Sequence, residues 1–168
     1  MLLLLTGLPG SGKTTLANAY AVRYGVAHLN SDLLRRELGL MGHYGPEDKE
    51  KVYRTLLERT RQLLLEGKDV VVDSTFYKTS IREPFQKVAA SCNAQLFWVE
   101  LRAQEDTIRQ RLKTPRPDSE ADFEVYQKIR DAYEPFQEPH LALQTDEMTL
   151  DELVAAMYAC VSGEKRTP

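Results

Sequence analysis

The sequence has few cysteines and no long apolar run at its start. Only 2 cysteines occur among its 168 residues. Cys92 and Cys160 fit neither a metal-binding nor a redox spacing, so we expect two reduced thiols and no disulfide framework. The apolar opening, residues 1–5, is too short for a signal peptide or a membrane span. We therefore expect a cytoplasmic protein that does not contact a membrane.

Positive charge is not in excess either. The formal net charge is −3, which disfavours a polynucleotide partner, although a local basic groove is compatible with this value. Internal repeats, low-complexity stretches and long Gly/Ser linkers are absent from the sequence. We expect one domain over residues 1–161 and a disordered tail over residues 162–168, in a monomer or a dimer.

Short apolar runs alternate with segments of helical spacing. The runs that predict buried strands are residues 2–5, 70–72, 96–101 and 141–143, with a weaker fifth at 27–30. The clearest helical segment is 46–66, in which the residues on one face are Val52, Leu56, Leu63 and Leu64. This alternation predicts an α/β fold in which helices cover both faces of a parallel sheet and the catalytic residues follow the strands.

The first predicted strand runs into a glycine-rich, phosphate-binding pattern. Residues 7–14 match G-x-x-x-x-G-K-[ST] at every required position, and a helix is predicted over residues 13–24. A chance glycine-rich turn would need all of these positions and both flanking elements to agree. We expect a bound nucleotide to contact Gly7, Leu8, Pro9, Gly10, Ser11, Gly12, Lys13, Thr14 and Thr15.

The residue types in this loop fit ATP and Mg²⁺. Glycines let main-chain amides surround phosphate oxygens, and the start of the next helix adds a positive dipole end. Lys13 brings a charge to the β and γ phosphates, and the hydroxyl of Thr14 suits magnesium. A phosphate loop alone does not define a reaction. The sequence lacks an Asn-Lys-x-Asp guanine-reading element and an acidic pair after residues 70–72, which favours a kinase.

Asp32 and Arg35 form the predicted acceptor side. Asp32 lies between a predicted strand and a helix, with Arg35 one turn later on the same face. A carboxylate at this position suits a general base that takes the proton of an acceptor hydroxyl, and Arg35 suits the orientation of the acceptor. The alternative interpretation makes Asp32 a helix N-cap and Arg35 its surface ion-pair partner.

The segment after the central strand supplies a second carboxylate. Asp73 follows residues 70–72, where it is expected to reach the magnesium shell through water; a helix N-cap is the alternative. Thr75 and Tyr77 are candidates for lining the acceptor pocket. Arg82 lies on the next predicted helix. Two interpretations of it stay open: a role at the site and an ordinary solvated side chain.

Two prolines mark a predicted lid at about residues 109–120, since the sequence Thr-Pro-Arg-Pro-Asp-Ser at 114–119 breaks any helix. Arg111 and Arg116 are candidates for contacting the transferred phosphoryl group, because guanidinium groups offer paired donors to its oxygens. A solvated charge run is the alternative. A new helix is predicted over 120–134, with core packing by Phe123, Tyr126 and Tyr133.

These motifs together resemble a known family. They comprise residues 7–15, the Ser-Asp-x-x-Arg step at 31–35, residues 70–75, Arg111-Leu112 and the segments 118–126 and 133–135. Their order resembles the predicted P-loop kinases grouped with the kinase domain of phage polynucleotide kinase, seryl-tRNA kinase and, more distantly, zeta toxin and chloramphenicol phosphotransferase. The resemblance implies a three-layer P-loop NTPase fold with a five-stranded parallel sheet in the order 2-3-1-4-5. It also implies that Asp32 is a general base and that Arg35 contacts the acceptor.

The resemblance favours a kinase without defining its acceptor. We expect transfer of the γ-phosphoryl group of ATP to a hydroxyl of a small metabolite. A polynucleotide 5′-hydroxyl kinase and a non-catalytic ATP-binding switch are the alternatives. Two positions depart from the family pattern: Pro115 occupies the place of the second lid arginine, so that Arg116 follows it, and the carboxylate after the central strand shifts among relatives. Asp73 and Ser74 therefore both stay candidates for the magnesium shell.

Overall fold

The computed structural model describes residues 1–114 and 121–163. Strands and helices alternate along this part of the chain. Their order is β1 (Leu2–Thr6), α1 (Lys13–Tyr24), β2 (Ala27–Asn30), α2 (Ser31–Glu37), α3 (Pro46–Leu65), β3 (Val70–Asp73), α4 (Thr79–Ser91), β4 (Leu96–Arg102), α5 (Glu105–Leu112), α6 (Phe123–Asp131), β5 (Leu141–Gln144) and α7 (Leu150–Ser162).

The five strands form one parallel sheet in the order β2-β3-β1-β4-β5. The central strand is β1, which leads into the phosphate loop; its Leu4 lies opposite Val72 of β3 and Trp98 of β4. Helices cover both faces of the sheet. The predicted fold class and strand order are therefore confirmed.

The sheet separates two apolar cores, because successive side chains of a strand point to opposite faces. Leu3 and Leu5 of β1 pack on the face that carries α1 and α7. Leu2 and Leu4 pack on the other face, with residues of α3 and α4. All four side chains are fully buried. A strand covered on both faces is expected to be apolar throughout, which explains the continuous leucine run of β1.

The predicted strands and the long helix agree with the structure to within one residue at each end. The helix α3 spans Pro46–Leu65, against the predicted 46–66. Val52, Leu56 and Leu64 are buried on its inner face, and Leu63 packs at the edge of the same core.

The helix α6 is shorter than the helix predicted over residues 120–134. It begins after the N-cap residue Asp122, whose carboxylate accepts a hydrogen bond from Val125 N, and it ends at Asp131. Pro135 disfavours helical geometry in the residue ahead of it, so the chain leaves the helix before that point. Of the aromatic residues predicted to pack there, Tyr126 is buried.

The predicted lid begins inside a helix. Arg109 and Arg111 belong to α5, whereas Arg116 lies outside the described residues. The helix α7 includes Ser162, the first residue of the predicted tail, and residues 164–168 also lie outside the described part. Within residues 1–114 and 121–163, no helix combines the length and apolar character needed to cross a membrane.

The start of α7 offers a test of local stability. Thr149 and Glu152 form a reciprocal capping box, in which the Thr149 hydroxyl accepts from Glu152 N and the Glu152 carboxylate accepts from Thr149 N. We expect Thr149→Ala to lower the free energy of unfolding by about 1 kcal/mol, measured by urea denaturation. Thr55→Ala, inside α3, is the matched control and should not destabilise. An equal effect of both substitutions would contradict the capping role.

Candidate active site

The phosphate loop joins β1 to α1, and its backbone requires glycine. Gly7 has φ 143°, and a Cβ atom there would lie 2.4 Å from Leu101 O of β4. Gly12, directly before α1, has φ 93°, which is in the region that other residues rarely adopt. The loop therefore lies against the end of β4, with its main-chain amides around the start of α1.

The loop has polar groups suited to an anion. Lys13 Nζ donates to Gly7 O at 2.9 Å and to Leu8 O at 3.1 Å, so the ammonium group lies above the loop. Ser11 is buried, and within the described part of the chain its Oγ has no hydrogen-bond partner. A buried polar atom of this kind is costly without a partner. The loop thus fits the terminal phosphates of a nucleotide, as the sequence predicts.

Thr14, Asn30 and Asp73 meet beside the phosphate loop. Asn30, the last residue of β2, donates through Nδ2 to Asp73 Oδ2 at 2.6 Å and to Thr14 Oγ1 at 3.2 Å. Asp73 ends the neighbouring strand β3 and is 1% exposed. A hydroxyl and a carboxylate at this spacing fit the oxygen ligands that Mg²⁺ prefers, with water and phosphate oxygens in the other positions.

The pKa of Asp73 lies below its ordinary value. Burial of the carboxyl group raises the pKa, but the neighbouring His28, the charge of Lys13 and hydrogen bonds with Thr14 and Asn30 together lower it by more. His28 Nε2 is 3.7 Å from Asp73 Oδ2, which is beyond hydrogen-bond distance. The carboxylate is therefore held in its charged form, which is the form that binds a cation.

Asn30 was not identified as a site residue from the sequence. Besides contacting Thr14 and Asp73, it caps α2, because its Oδ1 accepts from Leu33 N at 2.7 Å. The available signal was its position at the carboxyl end of a strand, beside the end of β3. The weakness of the β2 pattern in the sequence concealed that position.

Asp32 lies in the first turn of α2. Since Asn30 is the N-cap of this helix, the alternative interpretation of Asp32 as the cap is wrong. The cap alternative for Asp73 is also wrong, because the N-cap of the next helix, α4, is Lys78. Asp32 is close enough to Tyr53 of α3 for its charge to raise the pKa of the Tyr53 hydroxyl, although burial is the larger cause. Both side chains thus face the same region.

The side chain of Arg35 is largely buried and does not extend into solvent. It is 7% exposed, donates to His43 O at 2.5 Å and lies 4.6 Å from the centre of the Tyr44 ring. These contacts hold the connection between α2 and α3 against α2. Arg35 is therefore not a side chain of the exposed surface, and any acceptor contact by Arg35 would involve this connection as well.

A row of hydroxyl groups follows β3, on the side predicted for the acceptor. Tyr53 OH is 3.0 Å from Ser74 Oγ and 3.5 Å from Thr75 Oγ1. Thr6 Oγ1, at the end of β1, donates to Thr75 O at 2.8 Å. Thr75 was predicted to line the acceptor pocket, whereas Tyr53, on a helix that shows only an amphipathic pattern, was missed.

Arg111 and Thr145 contact the other side of the phosphate loop. The Arg111 guanidinium donates to Gly10 O at 3.2 Å, to Thr145 Oγ1 at 2.8 Å and to Thr145 O at 3.0 Å. Thr145 Oγ1 also lies 2.9 Å from Ser11 O. Arg111 therefore lies at the loop, and its contact with a transferred phosphoryl group stays a prediction. Thr145, which follows β5, is a further contact that the sequence did not indicate.

A cavity of about 460 Å³ adjoins this side of the loop. Its walls come from the loop and α1, through Gly12, Thr15 and Leu16, and from the segment after β5, through Met148 and Leu153. The cavity is mainly apolar and opens beside the phosphate-binding amides, which is the usual character of a site for a ring system.

The chain matches a known protein family over most of its length. The family model AAA_33, described as an AAA domain, matches residues 2–136. The chain belongs to this family. Its members are P-loop kinases, so the predicted family resemblance is confirmed.

Individual relatives support the same assignment. A "Probable adenylyl-sulfate kinase" of Aeropyrum pernix is 26% identical over 166 residues, which cover 95% of this chain and 91% of the relative. An L-seryl-tRNA(Sec) kinase of Methanococcus maripaludis is 29% identical over 107 residues, 61% of this chain and 41% of the relative. A crystal structure of a gluconokinase from Sinorhizobium meliloti has a TM-score of 0.73 at 20% identity, covering 96% of this chain and 91% of that one. The last likeness concerns the fold alone.

Removal of the Asp73 carboxylate is expected to weaken magnesium binding in the presence of ATP. We expect Asp73→Asn to lower the apparent affinity for Mg²⁺ about 10- to 100-fold, because a buried anion near Thr14 is lost. Calorimetric titration of ATP at a series of MgCl₂ concentrations measures this change. Asp151→Asn, an exposed carboxylate on α7, is the control. An unchanged magnesium requirement in the Asp73 variant would contradict the assignment.

The lowered pKa of Asp73 also predicts a pH dependence of stability. The group keeps its charge to lower pH in the folded chain than in the unfolded chain. Its contribution is therefore fully present above the ordinary pKa of about 4 and is lost as the pH falls through the folded-state value. Urea unfolding at neutral and acid pH measures this effect. The free energy of unfolding should fall less between neutral and acid pH in Asp73→Asn than in the wild type. Parallel pH profiles of the free energy of unfolding in the two proteins would contradict this contribution of Asp73.

Proposed function

We propose that this chain is an ATP-dependent kinase that transfers the γ-phosphoryl group to a hydroxyl of a small metabolite. The observation that carries the proposal is the contact of Asn30 with both Thr14 and Asp73, directly before Asp32 on α2. Thr14 and Asp73, which would hold magnesium, meet beside the phosphate loop, and Asp32, the proposed general base, follows in the first turn of α2. A switch protein without an acceptor would not need this second carboxylate.

On the nucleotide side, the amides of residues 7–14 would bind the phosphates and Lys13 would contact the β and γ groups. Thr14 and, through water, Asp73 would hold Mg²⁺, whose charge neutralises the phosphate oxygens. The hydrogen bond of Asp73 with Asn30 favours Asp73 over Ser74, since Ser74 Oγ already pairs with Tyr53 OH. The adjoining cavity of about 460 Å³ would receive the purine ring.

On the acceptor side, Asp32 would accept the proton of the attacking hydroxyl, and the transferred group would then meet positive charge. Arg111, which contacts Thr145 at the loop, would supply that charge, because its guanidinium can donate to equatorial oxygens. Arg116 keeps the same proposed role from outside the described residues. Arg35 would orient the acceptor together with the connection it holds.

A small metabolite is favoured over a polynucleotide by the charge of the acceptor side. The groups described there are mainly hydroxyls, from Tyr53, Ser74 and Thr75, and phosphate-rich strands are bound chiefly by arginine and lysine. The nearby Arg35 and Arg82 are both largely buried, so neither contributes to an exposed basic groove that could follow a strand. The formal net charge of −3 points the same way.

Phosphoryl transfer from γ-labelled ATP tests the proposal across a panel of acceptors. The panel contains neutral polyols, sugar acids, nucleosides, adenylyl sulfate, and 5′-hydroxyl oligonucleotides. Transfer to a small molecule supports the proposal. Transfer to oligonucleotides alone, with binding that weakens steeply with salt, would favour the polynucleotide kinase. Slow hydrolysis without any transfer would favour the ATP-binding switch.

The general-base role of Asp32 predicts a specific loss. Asp32→Asn keeps the size of the side chain but removes its basicity, so transfer should fall about 10²- to 10⁴-fold while the Kd for ATP stays unchanged. Rates come from labelled transfer and the Kd from calorimetry. Asp48→Asn, in the first turn of α3, is the matched control. Full transfer by the Asp32 variant would reject this role.

A further inference from the structure

Arg82 of α4 is a buried cation with an unusual set of partners. It is 1% exposed, and its guanidinium donates to Phe76 O at 2.9 Å, to Pro135 O at 3.4 Å and to Glu134 O. It also lies 4.0 Å from the centre of the Phe136 ring. The solvated interpretation of Arg82 is therefore wrong. Burial of a charge is costly unless its hydrogen bonds are satisfied; here main-chain carbonyls accept them, and the Glu138 carboxylate lies 3.9 Å from the guanidinium.

One of these partners has a strained backbone. Phe76 has φ 45°, in the left-handed region that a bulky residue rarely adopts. Such a conformation persists only where the surroundings hold it. Its ring is fully buried and packs edge-on against Phe85 and Trp98, and Arg82 Nε fixes the direction of its carbonyl. Arg82 thus holds a strained turn in place.

The turn carries the acceptor-side groups. Ser74 and Thr75 precede Phe76, and Tyr77 follows it, so a change of φ at Phe76 would redirect Tyr77 relative to the hydroxyl row. Within the described residues, the hydrogen bonds of Arg82 go to main-chain carbonyls and not to these side chains. Any effect of Arg82 on an acceptor would therefore pass through the backbone of the turn.

The same guanidinium joins this turn to the segment after α6. Glu134 N donates to Tyr77 O at 2.8 Å, and the Glu134 carboxylate accepts from Thr79 N at 2.7 Å. Tyr133 OH donates to Glu100 at 2.7 Å, at the end of β4. Residues 133–136 therefore form a strap across the turn between β3 and α4, and Arg82 lies between the strap and the turn.

We propose that Arg82 is a positioning residue for phosphoryl transfer: its guanidinium fixes the strained turn at Phe76 against the strap and thereby aims Ser74, Thr75 and Tyr77 at the acceptor. This inference rests on the proposed kinase function. An arginine suits the task because its planar fork reaches several carbonyls at once, whereas the ammonium group of lysine is a single point.

Arg82→Met tests the proposal, with Lys87→Met on the exposed side of the same helix as the matched control. We expect kcat/KM for the best acceptor of the panel to fall about 10²-fold, as for a misplacement of about 1 Å. The Kd for ATP and the slow hydrolysis of ATP by water should stay at the wild-type values. Arg82→Lys should recover only part of the loss. Equal falls in transfer and hydrolysis would overturn the proposal, because general damage lowers both.

Trp98 gives a readout that needs no acceptor. It is the 1 tryptophan of the sequence, and it packs against both Phe76 and Phe136 with ring centroids 5.4 and 5.0 Å apart. Loosening of the turn in Arg82→Met should move its emission to longer wavelength, and Lys87→Met should not. Glu134→Gln alters an exposed contact of the strap and should shift the Trp98 emission in the same direction by a smaller amount. This variant is the test to use if Arg82→Met does not fold.

The outcomes separate this inference from the proposed function. In one outcome, the wild type transfers phosphate and Arg82→Met shows the same transfer rate and the same Trp98 emission as the wild type. That result would overturn the role of Arg82 and leave the kinase proposal intact. A wild type that transfers to no acceptor would reject the kinase proposal, and the positioning role with it, whatever the emission shows. A selective loss of transfer together with the emission shift supports both.

Discussion

The side-chain amide of Asn30 joins three elements that are distant in sequence. Its nitrogen donates to Asp73 at the end of β3 and to Thr14 at the start of α1, while its oxygen caps α2. The distance from the phosphate loop to both carboxylates of the site therefore depends on one residue. An alanine here would take this donor from the buried Asp73, and the loss of a hydrogen bond to a buried charge is among the costlier defects of a fold.

The parallel sheet makes this arrangement possible. Because all five strands run in the same direction, the residues that follow them collect at one edge. Asn30, Asp73 and Thr145 arrive there from β2, β3 and β5, and the loop after β1 lies between them. Gly7 sits too close to Leu101 O of β4 for any side chain, so the phosphate loop is fixed by the same sheet that supplies its neighbours.

The fold and the nucleotide half of the site were predictable, because both are encoded in short, local patterns. The leucine run of β1 and the loop at residues 7–14 need no information from distant parts of the chain. Asn30, Tyr53 and Thr145 were missed because each acquires its role from a long-range contact. The predicted length of α6 was wrong at its end, because residues 133–136 leave the helix and bond to the turn after β3 instead. Arg82 stayed undecided because burial of an arginine has no local signal.

The family match ends at residue 136, whereas β5 and α7 lie beyond it. Yet Leu143, Leu153 and Met157 complete the core beneath α1, and Thr145 holds Arg111 against the phosphate loop. The end of the family match is thus not the end of the sheet or of its core. A truncation at residue 136 would strip β5 and α7 from the sheet and lay open the core on the α1 face, so the last fifth of the chain is needed to close that core.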